Sequence, residues 1–150
     1  MPPRRDVWQR RIKAVEREYA AVRLAADRLL EAAERDPTVL TREVALRDLR
    51  HALQRLDGTY IIRLFAEFES GLRLFWVAAR GVEPPSRTRD LVDGVAAMRW
   101  IRDEQRLPAH AVRDYRNALV HEREEAVVPV SIADARGRLC RFFSFLPPNW

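Results

Sequence analysis

The stretch TYIIRLFAEFESGLRLFWVAA, residues 59–79, decides the fold because it predicts a helix that is apolar on almost every side. Such a helix is typical of the centre of a bundle, where neighbouring helices contact it from several directions. On its narrow polar strip, Arg63 and Glu67 are four residues apart, as are Glu69 and Arg73, so each pair can interact along the helix. The apolar positions are Tyr60, Ile61, Leu64, Phe65, Phe68, Leu72, Phe75 and Trp76.

Two helices are predicted before this central stretch. The first covers residues 5–35 and ends at Asp36-Pro37-Thr38, because the residue before a proline disfavours helix. The second begins near Thr41, a suitable N-cap, and closes at Asp57-Gly58. Apolar spacings of four and three give the first helix an a/d-like seam along one face. That seam is Trp8, Ile12, Val15, Tyr19, Val22, Ala26, Leu29 and Ala33, and the second helix would bury Ala45, Leu49, Ala52 and Leu56.

Three more helices are predicted after a loop at residues 81–86. The fourth covers residues 88–105, and the fifth opens at Leu107-Pro108 and extends to about residue 125. Ser131 is predicted to cap the sixth, with Asp134 three residues on. The fourth would present Leu91, Val95, Met98 and Ile101, and the sixth would bury Ile132, Ala135, Leu139, Phe142 and Phe143. We therefore expect an all-α antiparallel helical bundle of five to six helices, forming one domain over residues 1–150.

Composition narrows the class of protein. The chain has 150 residues, 47% of them hydrophobic and 33% charged, which favours a folded domain. Its longest apolar runs are too short for a membrane span, and Met1 to Arg5 carries no apolar leader, so we expect a cytoplasmic protein. The single cysteine, Cys140, rules out an internal disulfide and indicates buried filling. A net charge of +5 favours phosphate-bearing partners, although the arginines are spread along the chain and interleaved with acids.

Several common kinds of site are missing from the sequence. It has no Gly-rich phosphate loop, no His-Glu-x-x-His helix and no Cys/His cluster with metal-ligand spacing. The three histidines, His51, His110 and His121, are too dispersed to indicate a metal site, so we expect no cofactor. Ser70 and Ser144 lie among aromatic residues with no neighbouring histidine, which argues against a serine-type triad.

The fifth predicted helix holds the remaining chemistry. Its apolar stripe leaves Arg113, Arg116, Asn117 and His121 fanned across the other side, with Arg116 and His121 about 140° apart round an ideal helix. One broad face thus presents a cation, an amide and a titratable imidazole. The spacing alone does not distinguish a site from a solvated helix face, because arginine is abundant throughout the chain.

The fuller string Arg116-Asn117-x-x-x-His121, preceded by Tyr115 and followed by Glu122, resembles the Arg-polar-x-x-x-His signature of HEPN domains. Upstream, IRLFAEFE at residues 62–69 resembles the aromatic, acid-bearing helix that precedes the motif in many members. The resemblance implies a metal-independent endoribonuclease that cuts single-stranded RNA in a cleft between two subunits. Arg116 would hold the scissile phosphate, His121 would transfer protons, and Asn117 would orient either group.

The resemblance also suggests supporting residues and one departure. Arg113, Arg123 and Tyr115 are candidates for substrate contacts, and Arg63, Glu67 and Glu69 could support the motif from the central helix. Val120 lies in the middle of the polar fan, where two such helices could meet. Members paired with a nucleotidyltransferase antitoxin commonly carry a tyrosine two residues after the histidine. Arg123 stands there, so control by modification of this position is not expected, and regulation would come from a separate antitoxin or regulatory protein.

Two other functions remain open from the sequence. The chain could be a HEPN-like module that binds nucleotide, RNA or an antitoxin without catalysis. It could also be a structural adaptor that dimerises through the seam from Trp8 to Ala33, with Arg116 and His121 incidental. A role as a toxin or phage-defence effector belongs to the ribonuclease hypothesis.

Overall fold

The computed structural model describes residues 4–121 and 126–150, and every regular element in those residues is helical. This confirms the predicted all-α helical bundle. Five α-helices are present in the described part of the chain, together with a short 3-10 turn at Pro37–Val39. The helices are α1 (Arg5–Arg35), α2 (Leu46–Arg80), α3 (Thr88–Arg99), α4 (Asp103–His121) and α5 (Ile132–Phe143).

Helix α1 begins and ends where the sequence predicts. Asp36 stops it and caps the following turn, accepting hydrogen bonds from the Thr38 amide at 3.0 Å and the Thr38 hydroxyl at 2.6 Å. The predicted apolar seam is only partly buried. Its first half, Trp8, Ile12 and Val15, lies in the core, whereas Val22 and Leu29 are more than a third exposed. Burial resumes at the end of the seam, where Ala33 is completely buried.

The second and third predicted helices are one continuous helix, so the predicted break at Asp57-Gly58 is wrong. A Cβ atom on Gly58 would lie 3.1 Å from Cδ2 of Leu119 in α4. The glycine therefore lets α4 approach α2 closely and does not end the helix. The predicted start at Thr41 is also wrong. Helix α2 begins at Leu46, where the Asp48 carboxylate accepts a hydrogen bond from the Ala45 amide at 3.3 Å.

Helix α2 is the centre of the bundle, as its apolar surface predicts, and it packs against each of the other four helices. Phe68 lies at the middle of the core. Its ring centroid is 5.4 Å from that of Phe142 and 5.3 Å from that of Phe143, both in α5. Early in the same helix, the burial pattern differs from the prediction, because Leu53 is buried while Ala52 is exposed.

The boundary between α3 and α4 differs from the predicted one. Helix α3 ends at Arg99, because Trp100 adopts a left-handed backbone with φ 54°. Helix α4 then starts at Asp103, with the Arg102 carbonyl accepting hydrogen bonds from the amides of Gln105 and Arg106. Pro108 therefore lies inside the helix and not in its first turn. The last predicted residues of this helix, 122–125, lie outside the described residues.

The predicted start and the predicted buried face of helix α5 are both confirmed. The Ser131 hydroxyl accepts a hydrogen bond from the Asp134 amide at 3.1 Å, and the five predicted apolar residues are all buried. Cys140 is buried, as expected, and burial raises the pKa of its thiol. No helix within the described residues is both long and apolar enough to cross a membrane.

Candidate functional site

Arg116 is held on α4 by contacts to two helices. Its Nη2 donates to Oε2 of Glu69 on α2 at 3.1 Å, and its Nη1 donates to Oδ1 of the adjacent Asn117 at 2.9 Å. The centre of the guanidinium lies 5.2 Å from the ring centroid of Phe65, a distance suited to a cation–π contact. The side chain keeps 24% exposure, so the cation is fixed in direction and still reachable from solvent.

Glu69 anchors this arrangement. Its Oε1 accepts from Nη2 of Arg73 at 2.7 Å and from the Thr88 hydroxyl at 3.1 Å, while its Oε2 faces Arg116. The predicted pairing of Glu69 with Arg73 is therefore present. A carboxylate shared by two guanidiniums and a hydroxyl cannot rotate without breaking several hydrogen bonds. It consequently fixes the position of Arg116 relative to the central helix.

His121 is the last residue of α4 and its side chain is exposed. It lies five residues beyond Arg116, on the part of the helix surface that also carries Val120, which is 47% exposed. The following four residues, among them the candidate Arg123, lie outside the described residues. Within one chain, His121 thus stands at the open end of α4 and is not enclosed by the bundle.

The other predicted supporting residues are not brought to the motif. The sequence predicts a pair between Arg63 and Glu67, but the structure does not form this pair. Instead, Arg63 contacts Glu18 at 2.9 Å, and Glu67 contacts Arg11 at 2.8 Å, in both cases across to α1. Of the three candidates on the central helix, only Glu69 reaches Arg116.

Tyr115 lies on the apolar stripe of α4, as the sequence predicts, whereas Arg113 occupies a position that the sequence did not predict. Tyr115 packs with Leu119 beside Gly58 and Ile62, lining a groove of about 480 Å³ on the α2 side of α4. Arg113 is only 8% exposed, so it is not part of a solvated polar fan. Its Nη2 donates to Oδ1 of Asp114, and its Nη1 contacts Nδ1 of His110 at 2.7 Å.

His110 belongs to a buried network that sequence reasoning missed. It is 8% exposed, and its Nε2 lies 2.7 Å from Oδ1 of Asp93 on α3. The guanidinium of Arg106 also donates to Asp93 at 2.7 Å. Because Nη1 of Arg113 can only donate, Nδ1 of His110 must accept. Nε2 of His110 therefore carries the ring proton and donates a hydrogen bond to Asp93. The two partners thus select one neutral tautomer of His110.

This network forms one wall of a cleft of about 570 Å³ between the start of α3 and the length of α4. Asn117 also lines the cleft, whereas Arg116 and His121 do not. The signal in the sequence was the spacing of His110, Arg113 and Asn117, which places them on one side of a helix at i, i+3 and i+7. The cleft is lined by Arg89, Arg106, Leu107, His110, Arg113, Asp114, Asn117, Ala118, Ala126 and Val127.

Because Asp93 is ionisable, we expect the stability that this network contributes to depend on pH. Burial would raise the pKa of this carboxyl, but hydrogen bonds from His110 and Arg106 outweigh burial and hold the pKa below its ordinary value of 3.8. A carboxyl whose pKa is lowered by folding stabilises the protein above its unfolded pKa, and this stabilisation is lost as the pH falls through the folded pKa. We therefore expect Asp93→Asn to lower the Tm by about 2–4 °C near neutral pH, since solvent screening limits the contribution to about 1 kcal/mol.

Thermal unfolding of the wild type and Asp93→Asn from neutral pH to below pH 4 checks this expectation. The difference in Tm should shrink towards zero at the acid end, because both side chains are then uncharged. Glu83→Gln, at an exposed position in the loop before α3, is the control and should leave the Tm within about a degree. A difference between the wild type and Asp93→Asn that is the same at every pH would show that charge on Asp93 does not stabilise the network.

No group of three or more His, Cys, Asp or Glu side chains in the described ranges is arranged to hold a metal ion. A scan against protein-family models finds no match to this chain, and searches of curated proteins and of solved structures find none either.

Proposed function

We propose that this protein is a metal-independent endoribonuclease of the HEPN type, which cleaves single-stranded RNA by attack of a ribose 2′-OH on the adjacent phosphate. The observation that carries the proposal is the fixed, accessible guanidinium of Arg116, held by Glu69 and Asn117 on the helix that ends at His121. A plausible cellular role for such an enzyme is that of a toxin or phage-defence effector.

Arg116 is suited to stabilise the charge that develops on a phosphate. A guanidinium has five N–H donors, and the contacts to Asn117 and Glu69 engage two of them. The remaining donors are available to phosphate oxygens, and the fixed geometry avoids reorganisation during the reaction. Glu69 neutralises part of the charge but also prevents the guanidinium from rotating away.

His121 supplies the proton transfers, because a neutral imidazole can accept a proton and a protonated imidazole can donate one. The 2′-oxygen forms a bond to phosphorus as its proton passes to a neutral imidazole, and the bond from phosphorus to the 5′-oxygen breaks as that oxygen takes a proton. The products are a 2′,3′-cyclic phosphate and a 5′-hydroxyl. One histidine is a poor source of both base and acid, so two chains would supply one each across a two-fold axis.

The position of the motif supports a site that is completed by a second copy. His121 lies at the exposed end of α4, and Val120 beside it exposes 47% of its surface. An apolar residue between polar site residues is reasonable where two copies of α4 meet. In this arrangement, Arg116 and His121 of each subunit would line one shared cleft.

A binding module without catalysis is the second candidate, and one observation favours it. The cleft of about 570 Å³ is lined by Asn117, Arg113 and Arg89 but not by Arg116 or His121. A nucleotide or RNA strand could occupy this cleft without reaching either reacting group. The ribonuclease and the binding module therefore predict the same ligand class and differ in whether the strand is cut.

Arg116→Ala distinguishes the two functions. With a labelled single-stranded RNA and EDTA present, we expect the variant to cleave roughly 100- to 1000-fold more slowly than the wild type, which is the typical effect of removing one charge-stabilising donor. The fold should survive, because Glu69 keeps its contacts to Arg73 and Thr88.

The matched control is Arg136→Ala. Arg136 pairs with Glu16 between α5 and α1 at 2.9 Å and has 35% side-chain exposure, so its setting is close to that of Arg116. It should cleave at the wild-type rate. Equal rates for Arg116→Ala and the wild type would remove Arg116 from the proposed chemistry. Binding of RNA by a folded, dimeric wild type that never cuts it would select the binding module.

A further inference from the structure

Trp100 combines an unfavourable backbone with an almost fully exposed side chain. It caps α3 with φ 54° and ψ 35°, and its amide donates to the Ala96 carbonyl. Glycine usually occupies this left-handed position at a helix end, and bulky L residues avoid it. The indole is 88% exposed, so the folded chain gains little from burying it. Neither the backbone nor the core explains a tryptophan at this position.

The surroundings of Trp100 form a shallow depression of about 520 Å³. Ala96, Ala97 and Ile101 contribute its small apolar surface, and Asp93 and Arg106 border it. Arg106 also lines the larger cleft that contains Asn117. The two depressions therefore share one side chain, Arg106, which lies on the motif helix α4.

Two exposed arginines lie near these depressions: Arg89 lines the larger cleft, and Arg102 lies two residues after Trp100. Among the described residues, the ion pairs between α3 and α4 involve Arg106 and His110 instead. Arg106 is itself neutralised by Asp93 and Asp103. An exposed aromatic face beside available guanidiniums is the combination that binds single-stranded nucleic acid, by stacking a base and contacting its backbone.

We propose that Trp100 is a stacking platform for an unpaired base of single-stranded RNA, with Arg102 and Arg89 contacting the backbone as the strand runs towards Asn117. This proposal rests on the proposed function, because that function makes the bound strand the substrate. It adds a binding position outside the Arg116–His121 motif. Such a position would hold the strand by a flanking nucleotide and leave the motif free for the scissile phosphate.

A base fits this surface better than a protein does. Six residues line the depression, whereas a stable protein interface takes about 20–30 residues on each partner. Exposed acids, Asp90 and Glu104, also interrupt the basic surface on the same helices. Stacking should therefore contribute more than charge. With two phosphate contacts, log K for binding should fall with log salt at a slope of only about −1.4.

The test uses a short single-stranded oligonucleotide with 2′-O-methyl groups throughout, which cannot undergo 2′-OH attack and so reports binding alone. The Kd is measured by the fluorescence anisotropy of a dye on the oligonucleotide, because the Trp100 variants lack the indole itself. In the wild type, Trp100 is far more exposed than Trp8, which is 6% exposed, so stacking should also quench its intrinsic fluorescence. We expect Trp100→Leu to weaken the Kd roughly tenfold or more, and Trp100→Tyr to stay near the wild type, because a second aromatic ring can stack.

Two controls separate stacking from a change in the fold. Trp100→Gly should raise the Tm by about 2 °C, since glycine accepts this backbone without strain, and it should still bind as weakly as Trp100→Leu. An oligonucleotide that lacks its bases should bind the wild type and Trp100→Leu equally.

Three results would overturn the proposal: no binding by the wild type, equal affinity of the wild type and Trp100→Leu for the base-containing strand, or an altered oligomeric state in Trp100→Leu with unchanged affinity. The last result would identify a protein interface at Trp100. Failure of the proposed function gives a different result, because a protein that binds through Trp100 but never cuts ordinary RNA would still show the loss in Trp100→Leu.

Discussion

His121→Ala is expected to lower the rate of RNA cleavage by about 100- to 10,000-fold, which is the usual contribution of a positioned proton-transfer group. The reaction needs a base for the 2′-OH and an acid for the 5′-oxygen. In the proposed dimer, both roles fall to the two copies of His121, so the substitution removes both at once. This is the largest effect on activity that the account predicts.

A loss of cleavage in this variant reports on the chemistry and not on the fold, because His121 contributes little to folding. Its side chain is exposed at the end of α4, so its loss should leave the Tm within a degree or two. His51→Ala is the matched control, since His51 is also exposed on a long helix, and it should cleave at the wild-type rate. Cleavage by folded His121→Ala at the wild-type rate would remove the histidine from the mechanism.

Phe68→Ala is expected to have the largest effect on stability, lowering the free energy of unfolding by about 3–5 kcal/mol. Phe68 is completely buried, and its ring packs against Phe65, Phe142 and Phe143 with centroid distances between 5.3 and 5.5 Å. Alanine would leave a cavity at the place where α2 meets α5. The surrounding rings are rigid and cannot fill it fully.

Denaturant unfolding of the wild type and the variant measures this loss. Leu74→Ala is the control, because Leu74 lies on the same helix but is 47% exposed, and it should change the free energy of unfolding by less than about 1 kcal/mol. A loss below about 1 kcal/mol for Phe68→Ala would show that the contact between α2 and α5 is not the centre of the core.

The helices that were predicted correctly are those specified by local patterns. Helix α1 ends at Arg35 because Asp36-Pro37 stops it, and α5 begins after Ser131 because a hydroxyl caps it. The central helix was recognised from its apolar surface alone. In each case, the neighbouring residues in the sequence contain the physical cause.

The predictions that failed depend on contacts between distant residues. Gly58 was read as a helix end, yet it lies within α2 because Leu119, 61 residues later, packs against it. The apolar seam of α1 predicts burial along its whole length, but Val22 and Leu29 are more than a third exposed. Spacing shows which residues share a face and does not show which neighbour covers that face.

In the candidate site too, the sequence predicts what depends on one helix and misses what depends on the packing of two helices. The sequence placed Arg116, Asn117 and His121 on one helix, and that placement holds. It could not choose among Arg63, Glu67 and Glu69. Glu67 and Glu69 lie on nearly opposite sides of the helix, about 160° apart, and the choice depends on how α2 is rotated relative to α4. The contact from His110 to Asp93 was likewise hidden, since it depends on how α3 packs on α4.

The central claim is that RNA is cut by its own 2′-OH with help from protein side chains alone. Its most direct test is the chemical nature of the ends produced by the wild type from single-stranded RNA in the presence of EDTA. We expect 2′,3′-cyclic phosphate and 5′-hydroxyl ends, formed at the same rate with and without the chelator. Ends carrying 3′-hydroxyl and 5′-phosphate groups, or cleavage abolished by EDTA, would contradict it.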